Sequence, residues 1–209
     1  MRDFDKIYQN NYWGLEGGGS GTGSMVHTTV SVRKLFSFFI ETQNVQTIVD
    51  VSVGAMAWWP LILDNFPHVN FYGFDISLSK IQENKERFSE KKNWKFYCED
   101  LVHKQDYPES DFLVCRHTLN HLSSKDVILS IENLKLAKTR FLGLTQHPIN
   151  QIDKEELMDE TLEGCIDYRP INLLDPPISM SPPWMEINDA DAENIQIGWE
   201  RKFSVWKFK

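Results

Sequence analysis

The stretch TIVDVSVGAMAWWP, residues 47–60, decides the reading of this chain. It opens as a short apolar strand rich in β-branched residues, ends on an acid, Asp50, and turns at a single glycine, Gly54. A strand such as QTIVDV, apolar at consecutive positions, suits the middle of a sheet covered on both faces. The following AWWPLILDNF can form a helix, because Pro60 is tolerated in a first turn. Strand, acid, tight turn and helix together describe the start of a nucleotide-binding sheet.

The unit recurs. NFYGFDIS is a second strand ending on Asp75, and LSKIQENKERFSEKK is an amphipathic helix with Leu78, Ile81 and Phe88 on one face. WKFYCEDL is a third strand, with Asp100 just after it. DFLVCR is a fourth strand and TRFLGLT a fifth. Between them SSKDVILSIENLKLA reads as a helix, capped by Ser123 or Ser124, with Val127, Ile128, Ile131 and Leu134 facing inward. Upstream, TTVSVRKLFSFFIETQ places Val32, Leu35, Phe36, Phe39 and Ile40 at helical spacing, with Thr28 or Thr29 as cap. The chain closes on two strands, near 184–188 and 202–208. Alternation of this kind predicts an α/β fold with parallel strands, right-handed crossovers and a terminal antiparallel hairpin. Ligands of such sheets bind beyond the carboxyl ends of the strands. That rule selects Asp50 to Trp58, Asp75, Asp100 and Arg116 to His121 as one rim.

Composition narrows the partners. A chain of 209 residues suggests one domain, and 41% hydrophobic residues suffice for a full core. A net charge of −8 argues against a nucleic-acid or anionic-membrane surface, since phosphates would be repelled. The N-terminus, MRDFDKIYQNNYW, lacks the apolar core of a signal peptide, and the longest near-apolar run, AMAWWPLIL, is too short to span a bilayer. Cys98, Cys115 and Cys165 have no CxxC spacing and read as reduced thiols of a cytosol-like compartment. No pairing of histidines and acids has ligand spacing, so no metal is expected. Residues 1–27 are polar and glycine-rich, which suits a linker, yet Phe4, Tyr8, Tyr12 and Trp13 suit an arm that packs.

The acids carry the chemistry. An acid ending the second strand, about 20 residues after the turn, can accept from ribose hydroxyls. One after the third strand can accept from an adenine amine. Nicotinamide enzymes need several glycines so that backbone can approach a pyrophosphate, and the turn Asp50-Val51-Ser52-Val53-Gly54-Ala55-Met56 is poor for that. S-adenosylmethionine has no phosphate and requires only one close backbone approach.

These residues resemble the class I S-adenosylmethionine-dependent methyltransferases over nearly the whole chain. VDVSVG resembles the family's first motif, with Ser52 and Met56 in place of usual glycines; YGFDIS resembles the second, CEDL the third and DFLVCRHTLNHLS the fourth-strand motif. A narrower likeness is to a subgroup of small methyltransferases, including viral and nematode members thought to act on sugars. It rests on Trp13, SGTGS (20–24), Trp58, CRHTLNHL (115–122) and YRPINLLDPP (168–177). In that subgroup aspartate often follows the arginine, where this chain has His117.

The resemblance implies a Rossmann-like, seven-stranded, mostly parallel sheet with a C-terminal antiparallel hairpin and helices on both faces. It implies a single domain over 1–209, with 1–27 as a lid and 146–183 as an acceptor-site insertion. The residues implied to bind cofactor are Trp13, Ser20, Gly21, Gly23, Ser24, Asp50, Ser52, Gly54, Trp58, Asp75, Ile76, Asp100, Leu101 and Arg116. His117 and His121 can each act as a base toward an acceptor hydroxyl; otherwise His121 caps or braces the helix that begins at Ser123, and His117 is an exposed polar residue beside the adenine or methionine end. His147, Asn150, Arg169 and Asn172 suit a hydroxyl-rich or acidic acceptor, and Arg169 suits a structural ion pair equally. The expected activity is O-methylation of a sugar hydroxyl on a glycan or small molecule, by a cytoplasmic protein (host cytoplasm if viral). A methyltransferase fold kept as an inactive binding subunit is the other reading.

Overall fold

Alternating side chains along five parallel strands divide the core into two layers. The computed structural model describes residues 4–147, 168–189 and 200–208. The strands are β1 (Thr47–Asp50), β2 (Asn70–Asp75), β3 (Trp94–Cys98), β4 (Ser110–Cys115), β5 (Thr139–Gln146), β6 (Met185–Asn188) and β7 (Lys202–Lys207). They form one seven-stranded sheet in the order β3-β2-β1-β4-β5-β7-β6. The first five are mutually parallel, and β7 pairs antiparallel with both β5 and β6. This is the expected architecture, with its closing hairpin.

Ile48, Phe112, Phe141 and Phe203 point to one face. There they meet Phe36 and Phe39 of α2 (Val30–Gln43), Ile62 of α3 (Pro60–Leu63) and Ile81 of α4 (Leu78–Arg87). Val49, Leu113, Leu142 and Trp206 point to the other and pack on Val127, Ile131 and Leu134 of α5 (Ser124–Leu136). Helices therefore cover both faces, because consecutive strand residues are apolar.

Local expectations fare unevenly. Ser123 caps α5 by accepting from the Asp126 N–H, and Ser77 caps α4 through the Lys80 N–H. Thr29 occupies the N-cap position of α2 but makes no side-chain cap. Instead the hydroxyls of Thr28 and Thr29 donate to the Met25 carbonyl, fastening the preceding turn. The helix expected across AWWPLILDNF shrinks to the single turn Pro60–Leu63. Trp58 and Trp59 precede it, stacked 4.3 Å apart, and both are buried in the core. No described helix is long and apolar enough to cross a membrane.

The strand order reverses between β1 and β4, since β2 lies on one side of β1 and β4 on the other. The carboxyl ends of those strands splay apart there, which opens a crevice.

Candidate cofactor and acceptor cleft

A cleft of about 810 Å³ occupies that crevice. Its floor is the turn after β1. Asp50 is buried, and its Oδ1 accepts from the Ser52 N–H at 2.9 Å while Oδ2 accepts from Trp59 Nε1 at 2.6 Å. Burial still dominates and pushes the Asp50 carboxyl up to about 6. Ser52 also joins the two strand ends, because its hydroxyl accepts from the Arg116 N–H at 3.2 Å. The residue that replaces a usual glycine thus ties β1 to β4 at the switch point.

Asp75 ends β2. One carboxylate oxygen accepts from the Gly54 N–H at 2.8 Å and the other from the Ser77 N–H at 2.9 Å. Burial raises its pKa, against those two N–H groups. Each oxygen keeps a lone pair that a hydroxyl could use. Ile76, Glu99, Asp100 and Leu101 continue the same wall, with Asp100 Oδ1 accepting from the Val102 N–H at 3.0 Å.

The N-terminal arm supplies the roof. In α1 (Phe4–Gln9), Asp5 Oδ1 accepts from the Ser79 N–H and from the hydroxyls of Ser77 and Ser79, which docks the arm on the positive N-terminal end of α4. Two 3-10 turns, Glu16–Gly19 and Thr22–Ser24, then lie over the β1 turn. Tyr8 Oη and Ser20 Oγ are 3.1 Å apart, and Ser20 Oγ accepts from the Ala55 N–H at 3.0 Å. Phe4, Tyr8, Trp13, Ser20 and Ser24 all line the cleft. The Trp13 ring lies 4.9 Å from the His121 ring, and its indole N–H is buried without a partner among the described residues. A donor-only group in that state calls for an acceptor atom.

The two rim histidines part company. His117 has a positive φ of 55°, and its Nε2 lies 2.9 Å from Asp189 Oδ2. Burial, then the neighbouring Arg116 guanidinium, lower its pKa to about 3, so it is neutral at neutral pH. Arg116 is buried as well: Nη2 and Nε hold Asp189 at 2.7 and 3.0 Å, and Nη1 donates to the Gly23 carbonyl at 2.8 Å. His121, half-buried in the 3-10 turn Leu119–His121, faces the cleft against Trp13.

Most of the residues expected to bind cofactor therefore converge on one space. Trp58 contributes from the core, with the Arg116 guanidinium 5.7 Å from its ring. Gly21 and Gly23 lie behind the lining and act on the arm's path rather than on the space itself. Among the described residues, the expected acceptor residues His147, Arg169 and Asn172 are not part of the cleft lining. His147 is buried; its Nδ1 accepts from the Ile171 N–H, its Nε2 meets the Tyr168 hydroxyl, and burial lowers its pKa to about 4. Arg169 is buried and donates to the Leu122 carbonyl at 2.6 Å and to Ser124 Oγ at 2.8 Å, so it braces the loop that carries His121. Asn172 Oδ1 accepts from the Leu174 N–H. Asn150 lies outside the described residues. Sequence reasoning missed Asp5 and Asp189, which stand near no motif, and gave no site role to Tyr8 in the arm or to Trp59 beside Trp58.

No protein-family model matches the chain, and a search of curated proteins finds no match either. Solved structures do match. PigF with SAH superposes with a TM-score of 0.65 at 13% identity, over 100% of this chain and 63% of that one. The N-methyltransferase NodS from Bradyrhizobium japonicum gives 0.61 at 10% identity, over 87% of this chain and 96% of NodS. Magnesium protoporphyrin IX methyltransferase from Synechocystis PCC 6803, with bound SAH, gives 0.55 at 14% identity, over 86% and 82%. Identities this low carry architecture alone. With its strand order and closing hairpin, the chain is built on the class I methyltransferase fold.

Proposed function

We propose that this protein is an S-adenosylmethionine-dependent methyltransferase that acts on a hydroxyl of a sugar or other small polyol. The observation that carries the reading is the convergence of Asp50, Asp75 and Asp100 in one cleft roofed by the arm and flanked by His121. The residues fit the cofactor's chemistry: two acceptor-rich walls for a nucleoside, a buried carboxylate for a cation, and no pyrophosphate loop. Two proteins of the same fold, PigF and the Synechocystis enzyme, hold SAH, which supports the same ligand here.

When bound, the cofactor supplies an electrophilic methyl on a sulfonium. The protein's own work is alignment, desolvation and proton removal. Asp75 would accept from the ribose hydroxyls, and Asp100 from the adenine amine. Asp50, poised near 6, ionises beside a cationic group. The arm, residues 1–27, acts as a lid that excludes water, and Trp13 covers the reacting end. His121 accepts the proton of the attacking hydroxyl. His117 is held neutral by burial and committed to Asp189, so its role is structural.

Calorimetry with S-adenosylhomocysteine tests the first part; absence of heat at millimolar ligand overturns it. His121→Ala tests the second. Turnover on a responsive acceptor is expected to fall about 100-fold with cofactor affinity nearly unchanged. Tight binding of S-adenosylhomocysteine without turnover on any glycan or polyol favours a non-catalytic binding subunit instead.

A further inference from the structure

Asp189 belongs to no motif and does not itself line the cleft, yet it is only 2% exposed. It stands just after β6, where its N–H donates to the Arg201 carbonyl and extends the closing hairpin by one more rung. Its carboxylate takes a two-pronged bond from Arg116, and Oδ2 also meets His117 Nε2. Those two residues, adjacent at the end of β4, grip the arm at one point. Arg116 Nη1 holds the Gly23 carbonyl at 2.8 Å. The His117 ring lies against the Cα of Gly23 so closely that any Cβ there would overlap it.

We infer that Asp189 is a positioning residue, the bolt of a latch through which the C-terminal hairpin holds the N-terminal arm shut over the cleft. A planar guanidinium can serve two acceptors at once only if its orientation is fixed. Asp189 fixes it, and supplies the counter-charge that lets Arg116 be buried. Without that carboxylate, the guanidinium must seek water or another acid, and the Gly23 carbonyl loses its donor. Of the arm's other anchors, Asp5 on α4 remains, whereas Ser20 on Ala55 stands three residues before Gly23 and loosens with it. The inference rests on the proposed function only where it predicts cofactor affinity.

The test is amide hydrogen exchange on the unliganded protein, with Asp189→Asn. The reporters are the N–H groups of Ser24 and Met25, bonded within the arm's second turn, and of Ala55, bonded to Ser20 Oγ. Exchange at all three is expected to accelerate at least tenfold, while β1 and β4 amides stay protected. Rates within twofold of the parent overturn the latch, whatever ligand the cleft takes. If Asp189→Asn does not fold, Gly23→Ala carries the same test from the arm's side, because it expels the arm and leaves the Asp189–Arg116 pair intact. Unchanged reporter rates in that variant likewise overturn the proposal. A parallel titration with S-adenosylhomocysteine is expected to show roughly tenfold to 100-fold weaker binding in either variant. Faster exchange in Asp189→Asn, together with a parent protein that binds no S-adenosylhomocysteine, would retain the latch and remove the functional reading.

Discussion

Two glycine-bearing turns face each other across the mouth of the cleft, and they solve each other's packing. One is the arm segment GGGSGTGS, residues 17–24, the other the turn after β1 that holds Gly54. Both read, as sequence, like loops that approach a ligand. In the fold each approaches the other. A Cβ on Gly54 would stand 2.6 Å from Ser20 Oγ, and one on Gly18 would stand 2.6 Å from the Ala55 side chain. Gly54 also has a φ of 52°, a region that side chains disfavour. The single glycine of the β1 turn is therefore accounted for by the arm, before any cofactor is considered. A missing Cβ signals a close neighbour, and the neighbour can be protein.

The comparison can be broken most forcefully at Asp75, which ties the β1 turn to the ligand side through the Gly54 N–H. Asp75→Ala is expected to cost about 100-fold in affinity for S-adenosylhomocysteine by calorimetry, since it removes a charged acceptor from both turn and ligand. An effect under threefold would detach the acids from cofactor binding. Next in size, Gly54→Ala is expected to destabilise by about 2 kcal/mol in urea melts, from positive φ and collision together. Adding Ser20→Ala relieves the collision, so the double variant should recover about 1 kcal/mol relative to additivity. Strict additivity would mean the two turns do not touch in solution.

Smaller again, taken per pH unit, is a pH effect. His117 has its folded pKa lowered to about 3, from an ordinary value near 6.5. The unfolded chain then binds the extra proton across that window, so His117 lowers stability as pH falls below about 6.5. Relative to His117→Gln, the parent protein should lose up to about 1.4 kcal/mol for each pH unit between 6 and 4. A flat difference would mean that His117 is solvated. The smallest effect belongs to Ser52→Gly, which restores the usual motif residue. Loss of the bond to the Arg116 N–H should lower stability by about 0.5–1 kcal/mol and leave S-adenosylhomocysteine affinity within threefold.

The contrast between His117 and His121 explains where the reading of the site ran out. Four positions apart, both lie at the carboxyl end of β4, and their residue type promises the same chemistry. What distinguishes His117 is an aspartate 72 residues downstream that binds its ring. His147 and Arg169 taught the same lesson. Their polarity suggested an acceptor site, yet both turn inward and satisfy backbone groups of neighbouring loops. A polar residue in a long loop announces a need for partners, and only the fold says whether those partners are substrate or main chain.

By itself, the sequence determined the sheet, its parallel order, its terminal hairpin and the acids Asp50, Asp75 and Asp100 at its strand ends. Those follow from periodicity and from the crossover rule, which act over some ten to forty neighbouring residues. Tertiary structure alone decided that Asp5 and Ser20 dock the arm, that Trp59 rather than a ligand bonds Asp50 Oδ2, and that Asp189 binds Arg116 and His117. The physical reason is reach. A hydrogen bond between residues 73 apart leaves no periodic trace, because either partner alone is an ordinary polar side chain until the fold brings both into one low-dielectric place.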